Sequence, residues 1–364
     1  MRFKALFLAF ALVLAFGCVS SPEGAGNAVS SQPPASAPAP AAQPPSGPEV
    51  SEPASGGVNI SVENASASDA GTAEPQMNDT NETAAEEGPS APQPPTSRLL
   101  EWAEEGKVLT DGISCTTIMR GGSYWMYYTG MGGINLAQSS DGIHFTKKDA
   151  VLEGQPGMPV SNQAIIELPD GTYRMIYEVH TGDERRGETE TRKLYSAVSS
   201  DGIRWTEEPG VRFYDYGEGN SIFTSVPDVL WFNDTLRMYY TVGLTSRIAV
   251  STDNGLTWRK EKNIEVEGVS VLLDPDILRL EDGTYKLFFT SFPSGGFGEG
   301  EQVIMSASSL DGLNFVPDEG VRLEPSGSEM LVDPDVVAIP GGYRMYYAKL
   351  GMDSSDIYSA VSSE

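Results

Sequence analysis

The sequence predicts an all-β fold, a five-bladed β-propeller whose last blade is completed by an N-terminal strand. Three observations predict it. An aromatic segment recurs five times, and a turn built on Ser and Asp follows four of these copies. The third observation concerns the two ends of the domain: the last repeat stops before its fourth strand, and a segment at the start of the domain resembles that missing strand. Repeats of about 50 residues with four short strands each are typical of propeller blades.

The first 18 residues have the pattern of a secretory signal. Arg2 and Lys4 precede an apolar run that is shorter than the roughly 20 residues of a membrane-spanning helix. Cys18 stands where a lipoprotein signal places its acylated cysteine, so we expect lipidation at Cys18 and a location on the extracytoplasmic cell surface. The alternative is a plain secretory signal and a secreted protein, with a cysteine that carries no lipid.

Residues 19–98 are predicted to form a disordered, acidic stalk rich in Pro, Ala and Ser. The stretch contains no Phe, Tyr or Trp, so it lacks the side chains that build a core. A solvated segment of this length holds a folded domain away from a surface. The chain also carries five N-x-[ST] sequons, four of them in this stretch. They are Asn59, Asn64, Asn78, Asn81 and Asn233.

Residues 99–364 remain for the propeller, and its strands are marked by the aromatic repeat. Aromatic and polar side chains alternate with a period of two, which favours strands of a packed sheet. A turn rich in Gly, Asp or Asn precedes the later copies, as expected for hairpins. The five copies are Tyr124–Tyr128, Tyr173–Tyr177, Leu236–Tyr240, Tyr285–Phe289 and Tyr343–Tyr347.

A second repeated element predicts the outer two strands of each blade. Its Asp side chain can accept hydrogen bonds from turn amides, and its Gly tolerates a positive φ. An aromatic residue then begins the next strand, so each repeat contains four strands. The four copies are Ser139–Phe145, Ser199–Trp205, Ser251–Trp258 and Ser309–Phe315.

The two ends of the domain predict how the ring closes. The chain stops at Tyr358–Glu364, whose counterpart Tyr195–Asp201 continues into a fourth strand at Trp205–Val211. Trp102–Val108 matches that fourth strand at its Trp, both Glu and its Val. We therefore expect residues near 100–110 to complete the last blade, which removes an open sheet edge.

Polar residues at the starts of the first strands predict a site at one rim of the central channel. Alignment of the blades on the aromatic segment places three aspartates at equivalent positions. Residues from the other blades are predicted to share this rim, including two that follow the aromatic segment of the second blade. The candidates for catalysis are Asp228, Asp276, Asp335 and Glu178, and those for substrate binding are Asn162, His180 and Asp111.

Converging carboxylates suit three different roles. Glycosyl transfer needs one protonated acid and one ionised carboxylate, and crowding of carboxylates separates their pKa values. A hard cation such as Ca²⁺ also accepts an all-oxygen cage, so a structural calcium ion in the channel is an alternative, although no other cofactor is expected. The third alternative is structural, because Asp beside Pro at a strand start often bonds loop amides.

The Asp-Pro strand starts, the aromatic second strands and the count of five blades resemble the five-bladed propeller glycosidases. These comprise the arabinanase and β-xylosidase, invertase and levansucrase, and mannoside phosphorylase families. The resemblance implies an Asp base or nucleophile, a supporting Asp and a Glu general acid. Asp276 and Asp335 would take the Asp roles, Glu178 the acid role, and Asp111 is the counterpart of the blade-one Asp by order. Ser251–Trp258 also fits the sialidase Asp-box.

The expected function is that of a surface-anchored, carbohydrate-active protein of the glycoside hydrolase type. One alternative is a non-catalytic propeller that binds glycans or protein at the cell surface, and another is a sialidase-like enzyme. Arg174, Arg237 and Arg344 recur at one strand position and are interpreted as scaffold. The chain carries 24 Lys and Arg against 51 Asp and Glu, which excludes nucleic-acid binding through bulk basic charge. We expect a monomer.

Overall fold

The computed structural model of the chain describes residues 100–182, 189–217 and 223–363. The predicted signal, Cys18 and the predicted stalk lie outside these residues. The described residues form strands joined by turns and loops, and no helix among them is long and apolar enough to cross a membrane.

Within the described residues, twenty strands form five antiparallel sheets of four strands each. Blade 1 contains β2 (Ile113–Arg120), β3 (Ser123–Gly130), β4 (Gly133–Ser139) and β5 (Thr146–Glu153). Blade 2 contains β6 (Val160–Glu167), β7 (Tyr173–Thr181), β8 (Thr191–Ser199) and β9 (Thr206–Glu207). Blade 3 contains β10 (Ser225–Phe232), β11 (Thr235–Val242), β12 (Thr245–Ser251) and β13 (Arg259–Asn263).

The remaining two sheets complete the ring. Blade 4 contains β14 (Leu273–Arg279), β15 (Tyr285–Ser291), β16 (Val303–Ser309) and β17 (Val316–Pro317). Blade 5 contains β18 (Met330–Ile339), β19 (Gly342–Leu350), β20 (Ser355–Ser363) and β1 (Ala103–Leu109). The first strands contact each other in cyclic order, from β2 through β6, β10, β14 and β18 back to β2. The fold is therefore the predicted five-bladed propeller.

The hydrophobic core is divided among the spaces between neighbouring blades. Each of five main clusters joins side chains from two adjacent blades. The aromatic residues of the second strands lie in these clusters, and Tyr127, Tyr239 and Tyr346 are fully buried. Burial of this apolar surface stabilises each blade-to-blade contact. The aromatic repeat in the sequence therefore corresponds to the side chains that pack between neighbouring blades.

The four Ser and Asp turns fasten blades 1 to 4 to the blade that precedes each of them in the ring. In the turn of blade 1, the Asp141 carboxylate accepts hydrogen bonds from the backbone N–H groups of residues 143 and 144, both at 2.9 Å. Tyr346 of blade 5 donates to the Gly142 carbonyl at 2.9 Å, and Arg344 donates to the Asp141 carbonyl at 2.9 Å. Gly142 has a φ of 78°, and a Cβ there would lie 2.9 Å from the Tyr346 hydroxyl. The turn therefore requires glycine.

The repeated arginines are part of the same scaffold. Arg174 forms two hydrogen bonds with Glu208 on the outer edge of its own blade, at 3.0 and 2.8 Å. Arg344 bonds Glu105 in the same way, at 2.9 and 3.0 Å. Each guanidinium also donates to the Asp turn of the following blade. These contacts agree with the interpretation of the arginines as scaffold.

The N-terminal strand closes the ring as predicted. Strand β1 pairs antiparallel with β20, with Lys107 opposite Tyr358 and Leu109 opposite Ile357. Glu105 in β1 occupies the place that Glu208 takes in blade 2, since both carboxylates bind the blade's arginine and a serine of the third strand. The sequence match between the two segments therefore reflects one repeated ion pair.

Candidate functional site

Every first strand contains a β-bulge near its start, at the same end of the channel. The register shifts in all five strands, and one residue in each bulge has a φ between 44° and 53°. A bulge opposes two residues to one and re-aims the side chains around it. We call the five left-handed residues the mouth layer. They are Ser114, Asn162, Val226, Asp274 and Asp333.

A second ring of side chains lies two residues further along each strand, deeper in the channel. We call it the inner layer, and its members pair with equivalent residues of the second strands. It consists of Thr116, Ala164, Asp228, Asp276 and Asp335. The three aspartates predicted from the blade alignment are thus brought together.

The inner-layer aspartates bond the backbone of the next blade. Asp228 accepts a hydrogen bond from the N–H of Ile277 in blade 4 at 2.8 Å. Asp276 accepts one from Val336 in blade 5 at 3.2 Å, and the Asp335 carboxylate accepts from the backbone of blade 1. One carboxylate thus joins each of three pairs of neighbouring blades, which supports the structural alternative. A catalytic role for these three residues stays a prediction.

The inner layer is also electrostatically crowded. Burial raises the pKa of Asp228 to about 6 and that of Asp335 to about 7. Burial and the charges of Asp228 and Asp335 hold the pKa of Asp276 well above its ordinary value. The cavity lined by side chains of both layers has a volume of about 20 Å³, which is enough for a water molecule and too small for a sugar ring. A sugar must therefore bind outside this cavity, at the opening of the channel beside the mouth layer.

Two aspartates of the mouth layer lie side by side in blades 4 and 5. Asp274 accepts a hydrogen bond from the Thr290 hydroxyl at 2.8 Å and another from the backbone N–H of Asp333. Asp333 accepts one from the Ser114 hydroxyl at 2.5 Å. Asp333 retains 7% of its surface exposed and Asp274 retains 2%. Asp333 is therefore the more accessible carboxylate of this pair.

The environments of the two aspartates give them different acidities. Burial raises the pKa of Asp274 to about 6, against the opposing effect of the Thr290 hydrogen bond. Burial together with the charge of Asp274 raises the pKa of Asp333 well above its ordinary value. Two neighbouring carboxylates whose acidities are separated in this way can divide the roles of acid and base.

Glu178 occupies a repeat position that the other blades fill with small residues. The equivalent residues of the second strands are Thr129, Thr241, Thr290 and Ala348. Two of these threonines accept the backbone N–H of the following mouth-layer residue, at 2.9 and 3.0 Å. The departure from the repeat therefore places one carboxylate where the scaffold needs only a hydroxyl.

The Glu178 carboxylate is fully buried in a polar cluster. It accepts a hydrogen bond from the Asn162 side chain at 2.8 Å and another from the Ser225 hydroxyl. Two cationic side chains flank it: His180 is in direct contact, and the Arg192 guanidinium lies 3.4 Å away. These groups hold the carboxylate in one orientation.

The surroundings of Glu178 bear on its predicted role as the general acid. Burial alone would raise the pKa of Glu178, but His180 and Arg192 lower it to about 2. A general acid must hold its proton at the working pH. A pKa this low disfavours the acid role, which stays a prediction. The negative charge of Glu178 contributes to the raised pKa of Asp333.

The predicted substrate-binding residues are divided between the cluster and the surface. His180 is 6% exposed, and its Nε2 lies 2.9 Å from the Ser161 hydroxyl. Burial would lower the pKa of His180, but Glu178 raises it overall. Asp111, by contrast, is not brought to the cluster: its side chain is 85% exposed and lies 3.6 Å from Lys147.

Sequence reasoning missed Asp274, Asp333 and Arg192. The two aspartates precede Pro in the Asp-Pro-Asp segments, so the sequence analysis found the segments but emphasised only the second Asp of each. Arg192 follows a charged loop, and nothing in its spacing marks it as a partner of Glu178. The calcium cage also lacks support, since in the described part of the chain no group of three or more His, Cys, Asp or Glu side chains is arranged to hold a metal ion.

An exposed aromatic pair lies near this cluster. Tyr214 and Tyr216 are 42% and 49% exposed, and their ring centroids are 5.7 Å apart. The Lys193 ammonium lies 5.3 Å from the Tyr214 ring, and Lys193 pairs with Val179, between Glu178 and His180. The tyrosines therefore belong to the same face of the ring as the channel mouth.

Comparison with known proteins identifies the fold. No protein-family model matches the sequence, and no curated protein matches it. A solved structure of a thermostable family-43 glycoside hydrolase aligns with a TM-score of 0.53 at 13% identity, over 69% of this chain and 89% of that one. An α-L-arabinanase from Cellvibrio cellulosa, complexed with arabinohexaose, aligns with a TM-score of 0.53 at 14% identity, over 69% and 91% of the two chains.

A second glycoside hydrolase family shares the architecture. A GH32 β-fructofuranosidase from Bombyx mori, in complex with sucrose, aligns with a TM-score of 0.54 at 13% identity, over 70% of this chain and 61% of that one. At these identities the likeness concerns the fold. The chain has the five-bladed propeller fold found in family-43 and family-32 glycoside hydrolases.

Proposed function

We propose that the mouth layer binds a carbohydrate and cleaves a glycosidic bond. The observation that carries this proposal is the separation of carboxylate acidities at one end of the channel. The pKa of Asp333 is raised well above its ordinary value, that of Asp274 is about 6, and that of Glu178 is lowered to about 2. Glycoside hydrolysis requires a protonated and an ionised carboxyl group on either side of the scissile bond.

Asp333 is the proton donor in this proposal. Asp333 retains more exposed surface than Asp274, and its pKa, raised well above the ordinary value, favours the protonated form that would supply a proton to the leaving oxygen. Asp274 is the ionised partner that acts as base or nucleophile, because its pKa of about 6 leaves it largely deprotonated at pH 7. The inner-layer aspartates, which lie deeper in the channel than Asp274 and Asp333, hold neighbouring blades together through their hydrogen bonds to backbone N–H groups.

Glu178 acts as a positioning residue. It is fully buried, and it holds the Asn162 amide at 2.8 Å. Asn162 belongs to the mouth layer and is more exposed than Glu178. The ionised Glu178 therefore orients an amide that faces the substrate and raises the proton affinity of Asp333 through its charge.

The aromatic pair extends the site beyond one sugar. The exposed faces of Tyr214 and Tyr216 offer apolar surface to a sugar ring, and large aromatic side chains carry much of the binding energy at exposed sites. The fold neighbours include an arabinanase with a bound hexasaccharide and a fructofuranosidase with bound sucrose. These ligands favour a neutral oligosaccharide as the substrate class.

The second candidate function is carbohydrate binding without catalysis. The small volume of the channel cavity and the amide bonds of the inner layer favour it, because they are features of a scaffold. In either case we propose that the protein acts outside the cytoplasm, held at the cell surface by a lipid on Cys18. The fold says nothing about this location, and the support comes from the signal-like N-terminus alone.

A hydrolysis and binding panel separates the two candidates. Wild type and Asp333→Asn are incubated with linear arabinan, inulin, xylan and mannan oligosaccharides, and released sugars are measured by chromatography. We expect turnover of at least one substrate by wild type and a loss of about 10²–10⁴-fold in Asp333→Asn. Retention of the variant on native gels containing the same polysaccharide controls for folding. Binding without turnover in wild type would instead establish the non-catalytic candidate.

A further inference from the structure

The hairpin between β10 and β11 lies at the end of the ring opposite the channel mouth. Phe232 and Thr235 pair across it, so its loop consists of two residues. The first of these, Asn233, is exposed and has a φ of 55°. Asn233, Asp234 and Thr235 together form an N-x-T sequon, the acceptor sequence for N-linked glycans. Among the five sequons, this one belongs to the folded domain.

A tryptophan stands two residues before the acceptor asparagine. Trp231 and Asn233 line one common cavity at this hairpin. The Trp231 indole N–H donates to the backbone carbonyl of Glu167 in blade 2 at 3.0 Å. The indole ring also packs against the cluster between blades 2 and 3. Trp231 is thereby fixed beside the acceptor.

A cavity opens at this point. Its volume is about 540 Å³, within the range of small-molecule binding sites. The residues that line it together with Trp231 include two Asn, one Asp and one Glu, residue types whose side chains can bond sugar hydroxyls. The lining residues are Glu167, Leu168, Pro169, Trp231, Asn233, Asp234 and Asn254.

We propose that Asn233 carries an N-linked glycan whose first sugar lies in this cavity against the Trp231 ring. In the transfer step, the Nδ2 atom of Asn233 attacks C1 of a sugar carried on a lipid pyrophosphate. The Nδ2–C1 bond forms, the bond from C1 to the pyrophosphate oxygen breaks with its electron pair, and one amide proton passes to a base of the transferring enzyme. The inference requires passage outside the cytoplasm and is independent of any glycosidase activity.

The packing gives the glycan a structural role. The cavity lies between the β6–β7 loop of blade 2 and two turns of blade 3. A sugar that fills it contacts both blades and excludes water from the indole face. Removal of apolar surface from water stabilises the folded state. Attachment is therefore expected to strengthen the contact between blades 2 and 3.

Peptide mapping of the full chain tests the attachment. The chain, with its own leader, is secreted from a host that attaches N-linked glycans and is digested with trypsin. Cleavage after Arg212 and Arg237 releases residues 213–237 as one peptide with a single sequon, separate from the stalk sequons. We expect this peptide to carry a glycan in wild type and in Thr235→Ser, which keeps the sequon, and to lack it in Asn233→Gln and Thr235→Val. Recovery of the wild-type peptide only in unmodified form, whether or not the stalk is glycosylated, would overturn the proposal.

Thermal unfolding tests the role of Trp231. The glycosylated wild type is expected to melt about 2–4 °C above Asn233→Gln from the same host, which corresponds to about 1 kcal/mol in a domain of this size. The same comparison in a Trp231→Ala background is expected to show a difference below 1 °C. An equal difference in both backgrounds would contradict the contact with the indole.

Discussion

The mouth layer and the inner layer of the channel lie two residues apart on the same five strands, yet they differ in how often the blades share one residue type. Three of five inner-layer positions hold the same residue, Asp, and each of these bonds a backbone amide of the next blade. The mouth layer holds Ser, Asn, Val and two Asp at a shared backbone conformation. A residue type that recurs among the blades is explained by a contact that holds neighbouring blades together. A position whose residue type varies is not constrained by that contact, so single blades can place a functional side chain there.

Blade 2 shows the same contrast in its second strand. Thr129, Thr241 and Thr290 occupy one position, and Glu178 replaces them in blade 2. An ionised, fully buried carboxylate costs desolvation free energy unless cations and donors surround it. His180, Arg192, Asn162 and Ser225 supply these partners. A costly departure with this many dedicated partners indicates selection for something other than ring stability.

The largest expected effect concerns the repeated ion pair that closes the ring. Arg344→Met leaves the Glu105 carboxylate without its guanidinium, and loss of one partner of a largely buried pair costs about 3 kcal/mol or more of unfolding free energy. Denaturant unfolding measures the loss. Arg204→Met is the matched control, because the Arg204 side chain is 89% exposed and such surface pairs contribute less than about 1 kcal/mol. Equal losses would show that the repeated pair has no special role.

The pH dependence of catalysis follows from the acidity of Asp274. Asp274 must be ionised to act as base or nucleophile, so kcat/KM is expected to fall about tenfold per pH unit below the pKa of about 6. Thr290→Val removes the hydroxyl that stabilises the ionised carboxylate, so this limb is expected to move to higher pH. A pH–rate profile of both proteins checks the shift. A limb that stays in place would assign it to another group, such as His180.

The inner layer is expected to limit stability at high pH. The folded protein holds a proton on Asp276 above the pH at which the unfolded chain releases it, so stability contributed by this group is present at pH 4 and is lost as pH rises. Asp276→Asn keeps an acceptor for the Val336 amide and removes the charge. Its unfolding free energy is expected to exceed that of wild type by about 1–3 kcal/mol at pH 8 and by little at pH 4.

Urea unfolding at several pH values measures this difference. Asp149→Asn, at an exposed position of β5, is the control and is expected to show no trend with pH. A difference in unfolding free energy between Asp276→Asn and wild type that stays constant from pH 4 to pH 8 would contradict the raised pKa of Asp276.

The smallest effect is expected at the aromatic pair. Tyr214→Ala removes one ring face from the proposed extension of the site, so KM for an oligosaccharide is expected to rise about 3–10-fold, which corresponds to about 1 kcal/mol. KM for a small aryl glycoside is expected to stay the same. Tyr214→Phe retains the ring and is expected to behave as wild type. A rise in KM for both substrates would place Tyr214 at the reacting sugar and not beyond it.

The sequence was sufficient to predict the ring because the ring is held by copied contacts. The aromatic strands fill the spaces between blades, the Ser and Asp turns bind the preceding blade, and Glu105 repeats Glu208. A contact that recurs five times leaves five similar segments in the sequence. The closing strand was predictable for the same reason.

The site was predicted less completely, for physical reasons. A bulge interrupts the alternation of side chains along a strand, so the Asp-Pro-Asp spacing does not reveal that Asp333 belongs to one layer and Asp335 to another. The charge state of Glu178 depends on Arg192, which is distant in spacing and joins it only through the pairing of β7 with β8. The emphasis on Asp228, Asp276 and Asp335 therefore followed the repeat, whereas the candidate chemistry lies where the repeat is broken.

The most direct measurement is the turnover number of two matched variants on the substrate found in the hydrolysis panel. Asp333→Asn and Asp276→Asn make the same chemical change on neighbouring blades, one in the mouth layer and one in the inner layer. We predict a fall in kcat of about 10²–10⁴-fold for Asp333→Asn and a change of less than about threefold for Asp276→Asn, with thermal unfolding showing that both proteins are folded. A loss of turnover in Asp276→Asn with full activity in Asp333→Asn would contradict the assignment of catalysis to the mouth layer.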